Sequence, residues 1–305
     1  MISNYTKGYV SSLDKEDLLK FTQKFNESSI TFGLMFIILY YISIFIVLFG
    51  YYQLILMNTL YLFFLPLVLL FLSRQLRALE NIIHFGSHYN LSKNKKINDS
   101  IINLFCAFPV MQKVASYRKF HLKHHSNYGS NIDPCKIRFN KFIEQDKKNI
   151  LMYLNFILKN LPAYFIEYYK ELGSKLDNII FYVIYNVIFF IFNSFIINIK
   201  FAFFSLIIIN ISMFIVLPMI RSIAEYDEHN YKKNKNLFET TYNNLSLIDF
   251  LIFHPAGDGY HIIHHLFPAI PWWNQRAAHF YLLKYDKSYL QAVHRTKFKH
   301  KYTLI

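Results

Sequence analysis

Eight of the thirteen histidines in this chain fall into three tight groups. The first is His84-Phe85-Gly86-Ser87-His88, the second His121-Leu122-Lys123-His124-His125, and the third His261-Ile262-Ile263-His264-His265. On a helix, positions i, i+3 and i+4 share a face, so each group projects two or three imidazoles in one direction. Neutral imidazole ligates iron, zinc, copper or nickel. A lone loop histidine is more often a surface residue than a ligand, and a single His-x-x-x-His pair arises easily by chance. Two copies of His-x-x-His-His in one chain are much harder to obtain by accident. Eight ligands exceed what one tetrahedral zinc can use and suit two metals with four or five imidazoles each. There is no His-Glu-x-x-His, so a zinc-protease arrangement lacks its general base. An all-imidazole shell also brings no negative charge, which leaves nearby acids or a bridging anion to balance the cations.

The elements that must position these groups are set by hydrophobicity. Of the 305 residues 54% are hydrophobic, concentrated in stretches with no polar face, and this excludes a soluble globular chain. Four stretches reach the roughly 20 apolar residues that a membrane-spanning helix needs. They run from about Ile30 to Phe49, Leu54 to Leu72, Ile179 to Ile197, and Phe201 to Met219. The first two are separated only by Gly50, Tyr51, Tyr52 and Gln53, and the last two by Asn198, Ile199 and Lys200, so each pair predicts a tight hairpin. None of the spans contains a charged residue. Residues 1–29 hold four Lys, 74–149 hold fourteen Lys and Arg, and 220–305 hold eleven, whereas the two turns hold only Lys200. The positive-inside rule therefore puts both termini and all three histidine groups on the cytoplasmic side. The stretch Ile150 to Tyr169, interrupted by Lys159, Asn160, Pro162 and Glu167, predicts an interfacial helix, and Ile101 to Val110 a short dip into the interface.

The net charge of +14 lies in loops beside apolar spans, where lipid contact and orientation explain it better than nucleic acid does. Cys106 and Cys135 form no Cys-x-x-Cys pair and support neither a zinc site nor a disulfide framework. The polar, acid-bearing start does not read as a cleavable signal peptide. With no repeat or low-complexity linker, residues 1–305 read as one domain. The expected fold is an all-α integral membrane protein: four transmembrane helices in two hairpins, with a cytoplasmic helical cap holding the metals.

The order His-x-x-x-His, His-x-x-His-His, apolar hairpin, His-x-x-His-His resembles the membrane fatty-acid desaturase and hydroxylase superfamily. The resemblance runs from the first hairpin to about Tyr281. Asp133-Pro134 after the second group, and Leu266, Pro268 and Pro271-Trp272-Trp273 after the third, strengthen it. It implies a cytoplasm-facing centre of two irons that uses dioxygen as co-substrate to attack an unactivated C–H bond, with the eight grouped histidines as ligands. Many relatives carry Arg-x-x-Ala-Glu-His before the third group. This chain reads Arg221-Ser-Ile-Ala-Glu225-Tyr226-Asp-Glu228-His229, with Tyr in place of that His. His229, about one helical turn further on, is the expected substitute from the same face, ahead of Tyr226. Glu225 is expected to orient a ligand by hydrogen bonding. Asp133 and Asp258 are expected either to do the same or to form ordinary loop salt bridges. His254-Pro-Ala-Gly257 matches a haem-binding tetrapeptide, but no second haem-ligand motif accompanies it. His279, His294 and His300 read as basic surface residues of the tail.

The leading functional reading is a fatty-acyl desaturase acting on a membrane lipid or acyl substrate. An external electron donor is implied, such as a ferredoxin or another small redox protein docking on the basic cytoplasmic face. The alternative within the superfamily is a lipid or carotenoid hydroxylase or ketolase, because Tyr260-His261 through Trp273 also resembles the ketolase third group. A metal transporter is a distant alternative from another class. Its spans would need ionisable residues along a pathway, and these have none. Dioxygen consumption with reductant separates enzyme from transporter.

Overall fold

In hydrocarbon, every backbone N–H and C=O must find its partner within the segment, so unbroken runs of Ile, Leu and Phe have only the helix open to them. The computed structural model describes residues 8–140, 150–173, 175–231 and 236–295; His300 and the end of the loop that follows the second histidine group lie outside these. Four of the described helices are long and apolar enough to cross a bilayer: Ile30–Met57, Thr59–Gly86, Leu176–Ile196 and Ile199–Tyr226. The chain is thus a largely helical integral membrane protein, as its sequence predicts.

A short helix α1 (Lys15–Phe25) precedes α2 (Ile30–Met57) and α3 (Leu65–Gly86). The turn between α2 and α3 corrects the sequence-based boundary. Gly50 to Gln53 are helical, and the chain reverses at Asn58, whose side chain accepts from Leu60 N at 2.9 Å. Nothing in Gly-Tyr-Tyr-Gln breaks a helix inside an apolar environment, whereas Asn is a good cap for the turn that follows. Next come α4 (Lys95–Ile102), α5 (Val114–Ser126), α6 (Pro134–Phe139) and α7 (Ile150–Gly173), with α7 not among the helices apolar enough to span. The second hairpin is α8 (Leu176–Ile196) and α9 (Ile199–Ile211), where Asn198 caps α9 by accepting from Phe201 N at 2.9 Å. A π-turn at Ser212–Val216 joins α9 to α10 (Leu217–Tyr226), and Ser73 of α3 donates to the Ser212 carbonyl at 3.0 Å. Ile44, Leu48, Leu72, Phe201 and Ile208 lock the two hairpins together.

Beyond α10 lie α11 (Leu237–Thr240), β1 (Tyr242–Asn244), α12 (His261–Leu266), α13 (Gln275–Tyr285) and β2 (Val293–Arg295), with β1 and β2 forming a three-residue parallel pair. Two features position the site. Helices α3 and α10 run on past their apolar parts, α3 by some 14 residues after Leu72, or about 21 Å, carrying charge and the first histidine out of the spans. A turn at Gly257, with φ +76° and the Trp272 carbonyl 2.6 Å from where a Cβ would sit, then aims Asp258 at α3.

The tail histidines need correction. His279 and His294 are not surface residues but are buried, with rings 5.0 Å apart, because the β1–β2 pair and α13 fold the tail onto the third histidine group. Burial lowers the pKa of His279 to about 3 and of His294 to about 4, so both are neutral.

Candidate metal centre

The eight grouped histidines converge, and they do so as two adjoining sets. His84 stands near the end of α3 and His88 in the turn just past it, while α5 carries His121, His124 and His125 and α12 carries His261, His264 and His265. In the first set the Nε2 atom of His264 lies 2.8 Å from that of His84 and 3.1 Å from those of both His121 and His125. His88 Nε2 completes it, 3.0 Å from His121 Nε2. In the second set the Nε2 atoms of His229, His261 and His265 form a triangle with sides of 3.0, 3.1 and 3.1 Å. His124 joins His229 and His265, all three offering ligand atoms within 4.8 Å of one another. The sets meet where the rings of His125 and His265 stack at 4.3 Å.

Mutual hydrogen bonding does not account for this arrangement. One Nε2 carries at most one proton, yet three nitrogens crowd around that of His264. Cations at the two foci do account for it. Nitrogens at right angles around an ion, with metal–nitrogen distances of about 2.1 Å, lie about 3.0 Å apart, and tetrahedral ones about 3.4 Å. The spacings of 2.8 to 3.1 Å fit the right-angled shell of a six-coordinate ion better than a tetrahedral zinc site. The residues present thus fit two ions, with five imidazoles available to one and four to the other. A chamber of about 40 Å³ beside them is lined by His84, His121, His124, His229 and His261 together with Tyr117 and Phe120, and has room for water or dioxygen. Residues 59–297, most of the chain, match the family model described as fatty acid desaturase.

The chain belongs to the fatty acid desaturase family. Comparison with curated proteins and with solved structures gave no match. Membership makes the protein an oxidoreductase of the membrane desaturase type, and the histidine sets lie where such an enzyme can bind metal.

In this desaturase-family protein the imidazoles are held from behind. His124 Nδ1 donates to Asp133 Oδ1 at 2.9 Å, and His84 Nδ1 to Asp258 Oδ1 at 3.3 Å. A carboxylate only accepts, so each bond fixes the proton on Nδ1 and turns a bare Nε2 inward. Asp258 also accepts from His254 at 3.1 Å and Arg77 at 3.2 Å, which gives His254 a supporting place. Burial raises the Asp258 pKa, yet Arg77 and the two histidine donors outweigh it and hold the carboxyl well below the usual range. Glu225 also lines the chamber. Its carboxylate accepts from Arg221 at 2.6 Å, Arg138 at 3.1 Å and Tyr164 at 3.3 Å, and so braces α10.

His229 enters by a route its spacing did not predict. Helix α10 stops at Tyr226, and His229 arrives through a turn and a backbone bridge to Thr241, outside the helix face. Its Nδ1 lies 3.1 Å from the Thr241 hydroxyl and 3.2 Å from that of Tyr128. Tyr226 instead packs its ring against Phe139 at 5.9 Å. Arg77, Glu80, Arg221 and Glu228 were missed from the sequence. A signal was present, since Arg77, Glu80, Asn81 and His84 follow the i, i+3, i+4, i+7 spacing of one helix face.

Burial keeps the pKa values of His121, His229, His261, His264 and His265 well below the ordinary imidazole value. The folded chain therefore offers neutral ligands even in mild acid, while the unfolded chain takes up protons below about pH 6.5. Stability consequently falls with pH below that point. On acidification of the detergent-solubilised protein, metal release is expected to coincide with loss of tertiary structure. Metal content measured in parallel with near-UV circular dichroism checks this, and metal lost near pH 6 from an intact fold contradicts it.

Proposed function

We propose that this chain is a fatty-acyl desaturase of one domain. His84, His88, His121, His124, His125, His229, His261, His264 and His265 hold two irons, and Asp133 and Asp258 set the tautomers of His124 and His84. The observation that carries this reading is the convergence of nine imidazoles into two sets at the ends of spans whose family acts on fatty acids. Removing hydrogen from a methylene needs an oxidant that no side chain provides, and a pair of irons with dioxygen supplies it. The chain's own part is to bind the ions, keep the imidazoles neutral and inward, and surround them with buried walls. A separate electron donor meets the basic cytoplasmic face.

The test is lipid profiling of a host with simple saturated lipids. New unsaturated acyl chains are expected, dependent on oxygen and a reductase. Hydroxylated acyl chains without a double bond would correct the reaction type. Unchanged acyl profiles beside keto or hydroxy pigments in a carotenoid-producing host would replace the substrate class.

Both termini and the histidine sets belong on the cytoplasmic side by the distribution of Lys and Arg. Accessibility tags at Tyr5, in the 126–145 loop and at His300 are expected to report that side, and a tag in the turn at Asn58 the opposite one. A non-cytoplasmic tag in the 126–145 loop contradicts a single cytoplasmic centre.

A further inference from the structure

We infer that Glu228 gives a carboxylate oxygen to the ion held by His124, His229, His261 and His265, so that the two ions have unlike shells. One has five imidazoles; the other has four imidazoles and a carboxylate. The inference rests on the proposed two-ion centre and goes beyond it by adding a ligand of a different chemical type.

The direction from which each acid approaches an imidazole carries the argument. Asp133 and Asp258 meet Nδ1 atoms, the outward edges of the rings. Glu228 meets an inward edge, with its Oε2 3.5 Å from His261 Nε2. Ligand atoms of Glu228, His229 and His261 all lie within 4.8 Å of one another. The residue is 8% exposed, and the turn that delivers His229 delivers its neighbour with it.

The other acids are engaged away from the inward edges of the rings. Asp133 accepts from His124, Gly129 and Cys135 at 2.9 Å each, and Glu225 from two arginines and a tyrosine. On the other side Glu228 is held by a hydrogen bond with Asp258, and its other oxygen stands 3.8 Å from Arg77 and 4.0 Å from His254. A buried carboxyl oxygen grouped with the ligating nitrogens of His229 and His261 is well placed to share their cation. Burial and the neighbouring Asp258 raise the Glu228 pKa well above the usual carboxylate value, so it gives up its proton as it binds, and the charge it then carries offsets part of the cation charge that an all-imidazole shell leaves uncompensated.

The experiment uses full-length protein in detergent, stripped of metal and reloaded with ⁵⁷Fe, or titrated with Co²⁺. The wild type is expected to bind two ions and to give two unlike Mössbauer doublets. Glu228→Gln is expected to weaken one Co²⁺ site by at least about tenfold and to change one doublet, leaving the other site and doublet as they were. Wild-type Co²⁺ affinities and unchanged doublets in Glu228→Gln overturn the inference, and leave Glu228 as a partner of Arg77. Two indistinguishable doublets in the wild type overturn it without any variant, which covers a Glu228→Gln protein that fails to fold. A wild type that binds no pair of ions defeats the proposed centre itself, a result distinguishable from either of these.

Discussion

Replacing His264 with Ala is expected to strip the five-imidazole set of its ion and to lower turnover by roughly a thousandfold or more, since no other group can supply the oxidising power. His264 is the hub of that set, its Nε2 lying within 3.1 Å of three other imidazole nitrogens. It is buried on α12 between α3 and α5, so no exposed histidine can swing in to replace it. His229→Ala is expected to do the same to the other set, because His229 Nε2 stands 3.0 Å from His261 and 3.1 Å from His265. Tyr226→Phe is expected to remain within about twofold of wild type, as its ring packs on Phe139 away from the nitrogens. Iron content per chain and acyl products, measured on the same preparations, decide the matter. Iron retained in His229→Ala but lost in Tyr226→Phe would reverse the assignment of the ninth ligand. Stoichiometric zinc with full activity and no iron would end the di-iron reading altogether.

A comparable effect on stability is expected from Arg221→Met. Arg221 lies on the extension of α10 and pairs with Glu225 at 2.6 Å, Glu171 at 3.2 Å and Glu80 at 3.5 Å. The side chains of Arg221 and Glu80 are only 3% and 4% exposed, so the centre of the network is shielded from water, while Glu171 at its edge is 29% exposed. Its loss leaves Glu80 to pair with Arg77, and Glu171 and Glu225 to share Arg138, at a cost of up to about 3–5 kcal/mol. For a chain of this size that lowers the thermal midpoint by roughly 6–20 °C. Because Glu80 belongs to α3 and Glu171 to α7, the variant should also loosen the contact that holds His84 against the other histidines. The exposed pair of Lys20 and Glu16 serves as control, since Lys20→Met should change stability by no more than about 1 kcal/mol. Thermal unfolding of both variants in one detergent tests the contrast, and equal midpoints for Arg221→Met and wild type would show that the network contributes nothing net.

What the sequence determined by itself is what local periodicity encodes. The eight grouped histidines could be read because spacing of three and four residues places side chains on one helix face wherever that helix lies. The four spans could be read because hydrocarbon leaves an unbroken apolar run no alternative to the helix. Tertiary structure decided whatever depends on residues far apart in the chain. It ended α10 at Tyr226 and brought His229 in through a bridge to Thr241, where spacing alone pointed to the helix face. It paired Arg221 with Glu80 across 141 positions and His84 with Asp258 across 174. It also turned His279 and His294 from expected surface groups into buried neutral ones. Charge and polarity in a sequence show that such residues need partners, because a buried polar group must be satisfied. Which partner each finds depends on how the helices pack, and no short-range pattern records that.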